Sequence, residues 1–117
     1  SVKEPLSYLA LSNTIRSAVT TWAKTLSNEI GSHNVTVNNI LTGFFNTERI
    51  NELNSEKAKK LNIKIGEVFS AMENLVPLKR IGDPKEFAYL VTFLASEKAS
   101  YINGINIPID GGLLKSL

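Results

Sequence analysis

No cysteine occurs in the 117 residues, which excludes disulfides and thiolate metal sites, and the single histidine, His33, cannot build a histidine cluster. A metal enzyme is disfavoured and no metal ligand is assigned. Charge of one sign is scarce too: 13 basic and 11 acidic residues, spread along the chain, leave a formal net charge of +2. That balance offers no electrostatic footprint for nucleic acid or an anionic membrane, so neither is expected as a partner. No stretch approaches the roughly 20 apolar residues of a membrane span, and residues 1–5 lack the basic-then-apolar order of a signal peptide. A cytoplasmic location is the default expectation. The chain does not begin with Met and reaches an amphipathic segment almost at once, so Ser1 reads as a cut point inside a longer chain.

What is present is ordinary for a globular protein, 43% hydrophobic and 21% charged residues, enough for one core. Leu11, Ile15, Val19, Trp22, Leu26 and Ile30 recur at steps of three or four, predicting a helix over 9–30 with one apolar stripe, closed by Gly31. After a polar turn holding His33, the β-branched run Val35 to Ile40 predicts a strand over 35–40. Residues 46–75 carry weak helical patterns among many Lys, Glu and Asn, broken at Gly66, and read as short surface helices that move as a lid. Asp83-Pro84-Lys85-Glu86 is a capping box with proline at the first helical position. It predicts a helix over 84–96 that buries Phe87, Leu90, Val91 and Leu94. Residues 105–109 alternate as a strand, and Pro108, with no N–H, places it at a sheet edge.

Helix, strand, helix, strand at these lengths indicates the α/β class, with parallel strands joined by helical crossovers. Two strands cannot make such a sheet, whose faces and edges both need cover, so the sequence reads as incomplete by itself.

Several motifs, in order, resemble the short-chain dehydrogenase/reductase family over nearly the whole chain. Thr25-Leu26-Ser27-Asn28-Glu29 is similar to that family's helix before its sixth strand. Val35-Thr36-Val37-Asn38-Asn39-Ile40 resembles its I-x-V-N-x-I strand, and Thr42 through Thr47 stands where it has P-G-x-x-x-T. Arg80 through Phe87 resembles its R-x-G-x-P-E-E helix start, and Gly104 through Gly112 its closing G-x-x-I-x-V-D-G-G strand. The resemblance implies the C-terminal half of a doubly wound Rossmann-like parallel sheet with helices on both faces. It also implies hydride transfer between NAD or NADP and a carbonyl or alcohol substrate. The family's Gly-rich turn is absent, so the chain by itself is expected to be inactive and to hold no nucleotide tightly. What remains is expected to line the nicotinamide end, through the backbone of Gly43 and Phe45 and the Thr47 hydroxyl.

The resemblance puts Ser12 where the family has its catalytic Tyr and Arg16 where it has its Lys. The spacing of four survives and keeps both on one helix face, but the chemistry differs. A phenol with a pKa near about 10 can be drawn toward neutrality by a cation, whereas an aliphatic hydroxyl starts far higher. Arg16 keeps the positive charge and the donors, in a fixed fork rather than a compact ammonium. Tyr8, one turn earlier, offers a phenol but needs a displaced backbone to reach that position, and Ser1 does not match the spacing of the family's catalytic serine. Two readings stay open: a reductase with a variant Ser12/Arg16 site, and a non-catalytic nucleotide-binding or assembly protein that has lost the Tyr. Four of the five site residues also have a plain structural role available. Ser12 and Thr47 can satisfy helix ends, Arg16 can sit in an ion pair, and Gly43 can serve a close backbone approach. Trp22 is expected at a helix–helix interface, and the family pairs this helix across subunits, implying a homodimer or homotetramer.

Overall fold

The computed structural model describes residues 2–5 and 7–116; Ser1, Leu6 and Leu117, and with them any reading of Ser1 as a catalytic serine, lie outside the described residues. The chain forms two units, one of residues 1–41, 90–108 and 114–117 and the other of residues 42–89 and 109–113. No helix among the described residues is long and apolar enough to cross a membrane.

The first unit is built on α1, Ala10–Ile30. Of the apolar stripe, Leu11, Ile15, Val19 and Trp22 are 49–75% accessible and Leu26 and Ile30 are half-buried, while Ala23 and Ser27 are the buried residues of the helix. The reason is a close approach that only small side chains allow. A Cβ added at Gly104, which sits at φ +70°, would lie 2.5 Å from the Ser27 hydroxyl. Hydrogen bonds fix this contact: Lys24 Nζ donates to the Gly104 carbonyl at 3.0 Å, and Asn103 Nδ2 donates to the Ser27 carbonyl at 3.0 Å. After α1 the chain makes one 3₁₀ turn, Gly31–His33, and reverses at Asn34 in the left-handed region.

The strand expected over 35–40 lies instead at Asn39–Thr42, here β1. Residues 35–38 are tied by side chains and by one main-chain bond, Gly104 N–H to Val37 O at 2.9 Å. Val37 N–H donates to Asn103 Oδ1 at 2.9 Å, and Asn38 donates to the Ile102 carbonyl at 2.8 Å while accepting from Ile105 N–H. The second strand, β2, is Asn106–Ile109, and among the described residues the two strands make the whole sheet. Asn39 N–H donates to Ile105 O and Gly43 N–H to Ile109 O, equal steps in the same direction, so the pair is parallel.

In the second unit, α2 (Glu48–Leu61) and α3 (Ile65–Leu75) are in contact and form a helix pair over most of the expected lid. The break falls at Asn62, not at Gly66, which lies inside the first turn of α3. Asn62 adopts φ 53° and donates to Lys59 O, while Ile63 N–H returns to Ala58 O, the double bond of a Schellman ending. Buried between the elements of this unit are Asn54, Ala58, Val68 and Val76.

The last helix, α4 (Pro84–Leu94), stops short of the expected 96 because the Ser96 hydroxyl takes the Phe93 carbonyl at 2.7 Å and a 3₁₀ turn follows at Glu97–Ala99. Of its expected buried face, Phe87, Leu90 and Leu94 are half-buried and Val91 is exposed. Its capping box is complete: Lys85 N–H donates to Asp83 Oδ1 and Asp83 N–H donates to Glu86 Oε2, both at 2.8 Å.

Candidate functional site

In the first unit, Ser12 and Arg16 sit one turn apart on α1, Ser12 half-buried and Arg16 exposed. Arg16 donates through Nε to the Ser12 hydroxyl at 3.1 Å. The bond uses one oxygen lone pair and leaves the hydroxyl proton and the terminal guanidinium N–H groups to donate elsewhere. A hydroxyl that accepts from a cation becomes a better donor, because the two bonds polarise each other. It does not become an acid that titrates near neutrality. Tyr8 adopts φ 64° and its side chain is fully exposed, so its phenol is not positioned by packing.

In the second unit, Gly43, Phe45 and Thr47 lie on the segment leaving β1. Gly43 is committed to structure: its N–H is bonded to Ile109 O at 3.0 Å, and an added Cβ would lie 2.5 Å from the Asp110 Cα. Phe45 forms a single parallel bridge with Gly82, made by Gly82 N–H to Phe44 O and by Asn46 N–H to Gly82 O. In such a bridge the central residue contributes neither bond, so the N–H and C=O of Phe45 face the other way. Neither meets a partner among the described residues. The Phe45 ring is held edge-on to Phe87, centroids 5.9 Å apart, and against Gly82, where a Cβ would lie 2.8 Å from the ring. Thr47 caps α2 through a long 3.4 Å contact from Ile50 N–H, is exposed, and keeps its hydroxyl proton free.

A cavity of about 140 Å³ opens beside this segment, lined among others by Phe45, Arg80, Gly82, Glu86 and Asp110. One wall of it is an ion pair that the sequence reading treated only as a helix start. Arg80 grips Glu86 in a bidentate pair at 2.6 and 2.7 Å, and Glu86 also holds the α4 N-terminus. The Arg80 bonds, then the Asp83 N–H, hold the Glu86 carboxyl down at about 2. Glu86 in turn raises Arg80 above its usual value, first by hydrogen bonding and then by charge. The signal was the six-residue spacing of opposite charges around a Gly-x-Pro turn. Asp110, which accepts from Gly112 N–H at 2.9 Å, and the Asn38 and Asn103 side chains were also unassigned by sequence reasoning.

Residues 6–114 match the model of the family described as enoyl-(acyl carrier protein) reductase. The chain is 36% identical over 115 residues to the NADPH-dependent reductase BacG of Bacillus subtilis, covering 98% of this chain and 44% of that protein. Among solved structures it is similar to a short chain dehydrogenase family protein from Francisella tularensis, with TM-score 0.84 and 32% identity, covering 94% of this chain and 45% of that one. It is also similar to L-sorbose reductase from Gluconobacter frateurii complexed with NADPH and L-sorbose, with TM-score 0.90 and 32% identity over 97% of this chain and 43% of that one. The chain thus spans less than half the length of the relatives it matches.

Proposed function

Because the chain belongs to the short-chain dehydrogenase/reductase family, in the group described as enoyl-(acyl carrier protein) reductase, we propose that the protein is a nicotinamide-dependent oxidoreductase acting on a carbonyl or alcohol substrate. The observation that carries this reading is the unpaired N–H and C=O of Phe45 next to the free Thr47 hydroxyl. Together they supply two donors and an acceptor on a segment that Gly43 and Gly82 hold in place. That is the complement of a carboxamide, so these residues fit the nicotinamide end of the cofactor. NADP is favoured over NAD because relatives named for a cofactor are named for NADPH. When bound, the nicotinamide supplies or takes the hydride.

The role of Ser12 and Arg16 follows from their chemistry. Both are hydrogen-bond donors, so they act by donating to the substrate oxygen as negative charge develops on it, and the proton comes from water. Ser12 donates its O–H, polarised by Arg16 Nε, and the remaining guanidinium N–H groups add donors and charge. The alternative is a nucleotide-binding assembly protein without turnover. The paired change Ser12→Tyr with Arg16→Lys separates the two in the intact protein. Under the reductase reading carbonyl reduction does not improve, whereas activity that appears only in the variant favours the assembly reading.

The exposed stripe of Leu11, Ile15, Val19 and Trp22 on α1 supports a homodimer or homotetramer, since burying such side chains stabilises by roughly 25 cal/mol per Å². Sedimentation of the intact protein tests this, and a single monomeric species contradicts it.

A further inference from the structure

The chain contains one methionine and no cysteine, so Met72 carries its only sulfur atom. That sulfur is not simply core filling. Asn54 on α2 donates through Nδ2 to Met72 Sδ on α3 at 3.0 Å, and Asn54 is 5% exposed. Asn54 and Ala58, four residues apart, are the buried residues of α2, and on α3 half-buried Met72 stands one turn on from buried Val68, so the N–H···S bond joins the two helices. A thioether is a weak acceptor. Pairing the amide of a buried Asn with it, rather than with an oxygen, ties this junction to the oxidation state of one atom.

We propose that Met72 is an oxidation-sensitive latch between α2 and α3. A peroxide is the oxidant: a sulfur lone pair attacks one peroxide oxygen, the O–O bond breaks, and an S–O bond forms. The sulfur loses two electrons, and the departing oxygen leaves as water once the proton has moved to it. Met72 is only partly covered, so peroxide can reach its sulfur, and within these 117 residues no thiol competes for it. The product does not fit the seam as it stands. An oxygen accepting from Asn54 needs about 2.9 Å to the nitrogen and a further bond length back to sulfur, where only 3.0 Å now separates nitrogen from sulfur. The helices either part or leave the Asn54 amide without its partner, and both loosen the junction. The latch is a property of the helix pair and does not depend on the proposed activity.

The test exposes the intact protein to hydrogen peroxide, follows oxygen uptake at Met72 by peptide mass, and reads amide hydrogen exchange across 48–61 and 65–75. Addition of one oxygen at Met72 should speed exchange in both helices by about tenfold or more, and methionine sulfoxide reductase should restore the original rates. Met72→Leu should show no peroxide response in these segments. The reductase-treated sample has the natural sequence, so the comparison stands even if the Leu variant folds poorly. Unchanged exchange after Met72 has been oxidised overturns the proposal. So does failure to oxidise Met72 at a dose that oxidises free methionine.

Discussion

Arg16 and Ser12 are joined by one hydrogen bond, Nε to Oγ at 3.1 Å, across a single turn of α1. The bond aligns a permanent cation behind a hydroxyl whose own proton remains available, an arrangement suited to holding an oxyanion rather than to delivering a proton. Ser12→Ala in the intact protein should therefore lower kcat for carbonyl reduction by about a hundredfold with little change in NADPH affinity. Ser12 is only half-buried and its loss removes one exposed hydrogen bond, so the melting temperature should stay close to that of the wild type. Steady-state kinetics beside a thermal melt checks both expectations.

The Arg80–Glu86 pair gives a pH signature. Glu86 has its folded pKa depressed to about 2, so its contribution to stability is fully present above its unfolded value of 4.5 and is lost as pH falls toward about 2. The window is thus acidic, and neutral pH leaves the pair intact. Carboxyl NMR should find Glu86 still ionised near pH 3, and Arg80→Leu should move its titration back toward the ordinary range. A normal Glu86 titration in the wild-type protein would contradict the bidentate pair.

Two glycines should respond to alanine with opposite sign. At Gly43 the new Cβ would lie 2.5 Å from Asp110 Cα and 2.6 Å from its Cβ, and backbone would have to move, so Gly43→Ala should destabilise by roughly 1–3 kcal/mol. At Gly66, inside α3, nothing lies within 4 Å, and Gly66→Ala should stabilise by roughly 0.5–1 kcal/mol. Denaturant midpoints of the two variants provide the comparison.

How much of this was legible in the sequence depended on whether the signal was local. The Asp83–Glu86 capping box and the span of α1 were readable because both are written within a few residues of the chain. The buried face of α1 was not. Periodicity marked the large apolar side chains, but what decides burial in this chain is the close approach of Gly104 to Ser27, a pairing of residues far apart in sequence. The start of β1 was misplaced for the same reason. Val35 and Val37 have strand-forming side chains, yet Asn103 and Asn38 satisfy their neighbourhood with side-chain bonds, and the ladder begins only at Asn39. At the proposed site, the motif spacing singled out Gly43, Phe45 and Thr47, which the structure puts on one segment leaving β1. It gave no sign that the Gly43 N–H is already spent on β2, or that Arg80 and Glu86 stand at the neighbouring cavity. The turn at Asn62 was hidden because Gly66 is the stronger helix breaker by composition, while asparagine also accepts the left-handed conformation.

Fluorescence titration of NADPH with the intact natural protein, repeated for Thr47→Ser and Thr47→Val, tests the central claim most directly. The account predicts saturable binding that Thr47→Ser keeps and Thr47→Val weakens severalfold, because only serine retains a hydroxyl at the end of the Phe45 segment. Absence of saturable NADPH binding by the natural protein would contradict it.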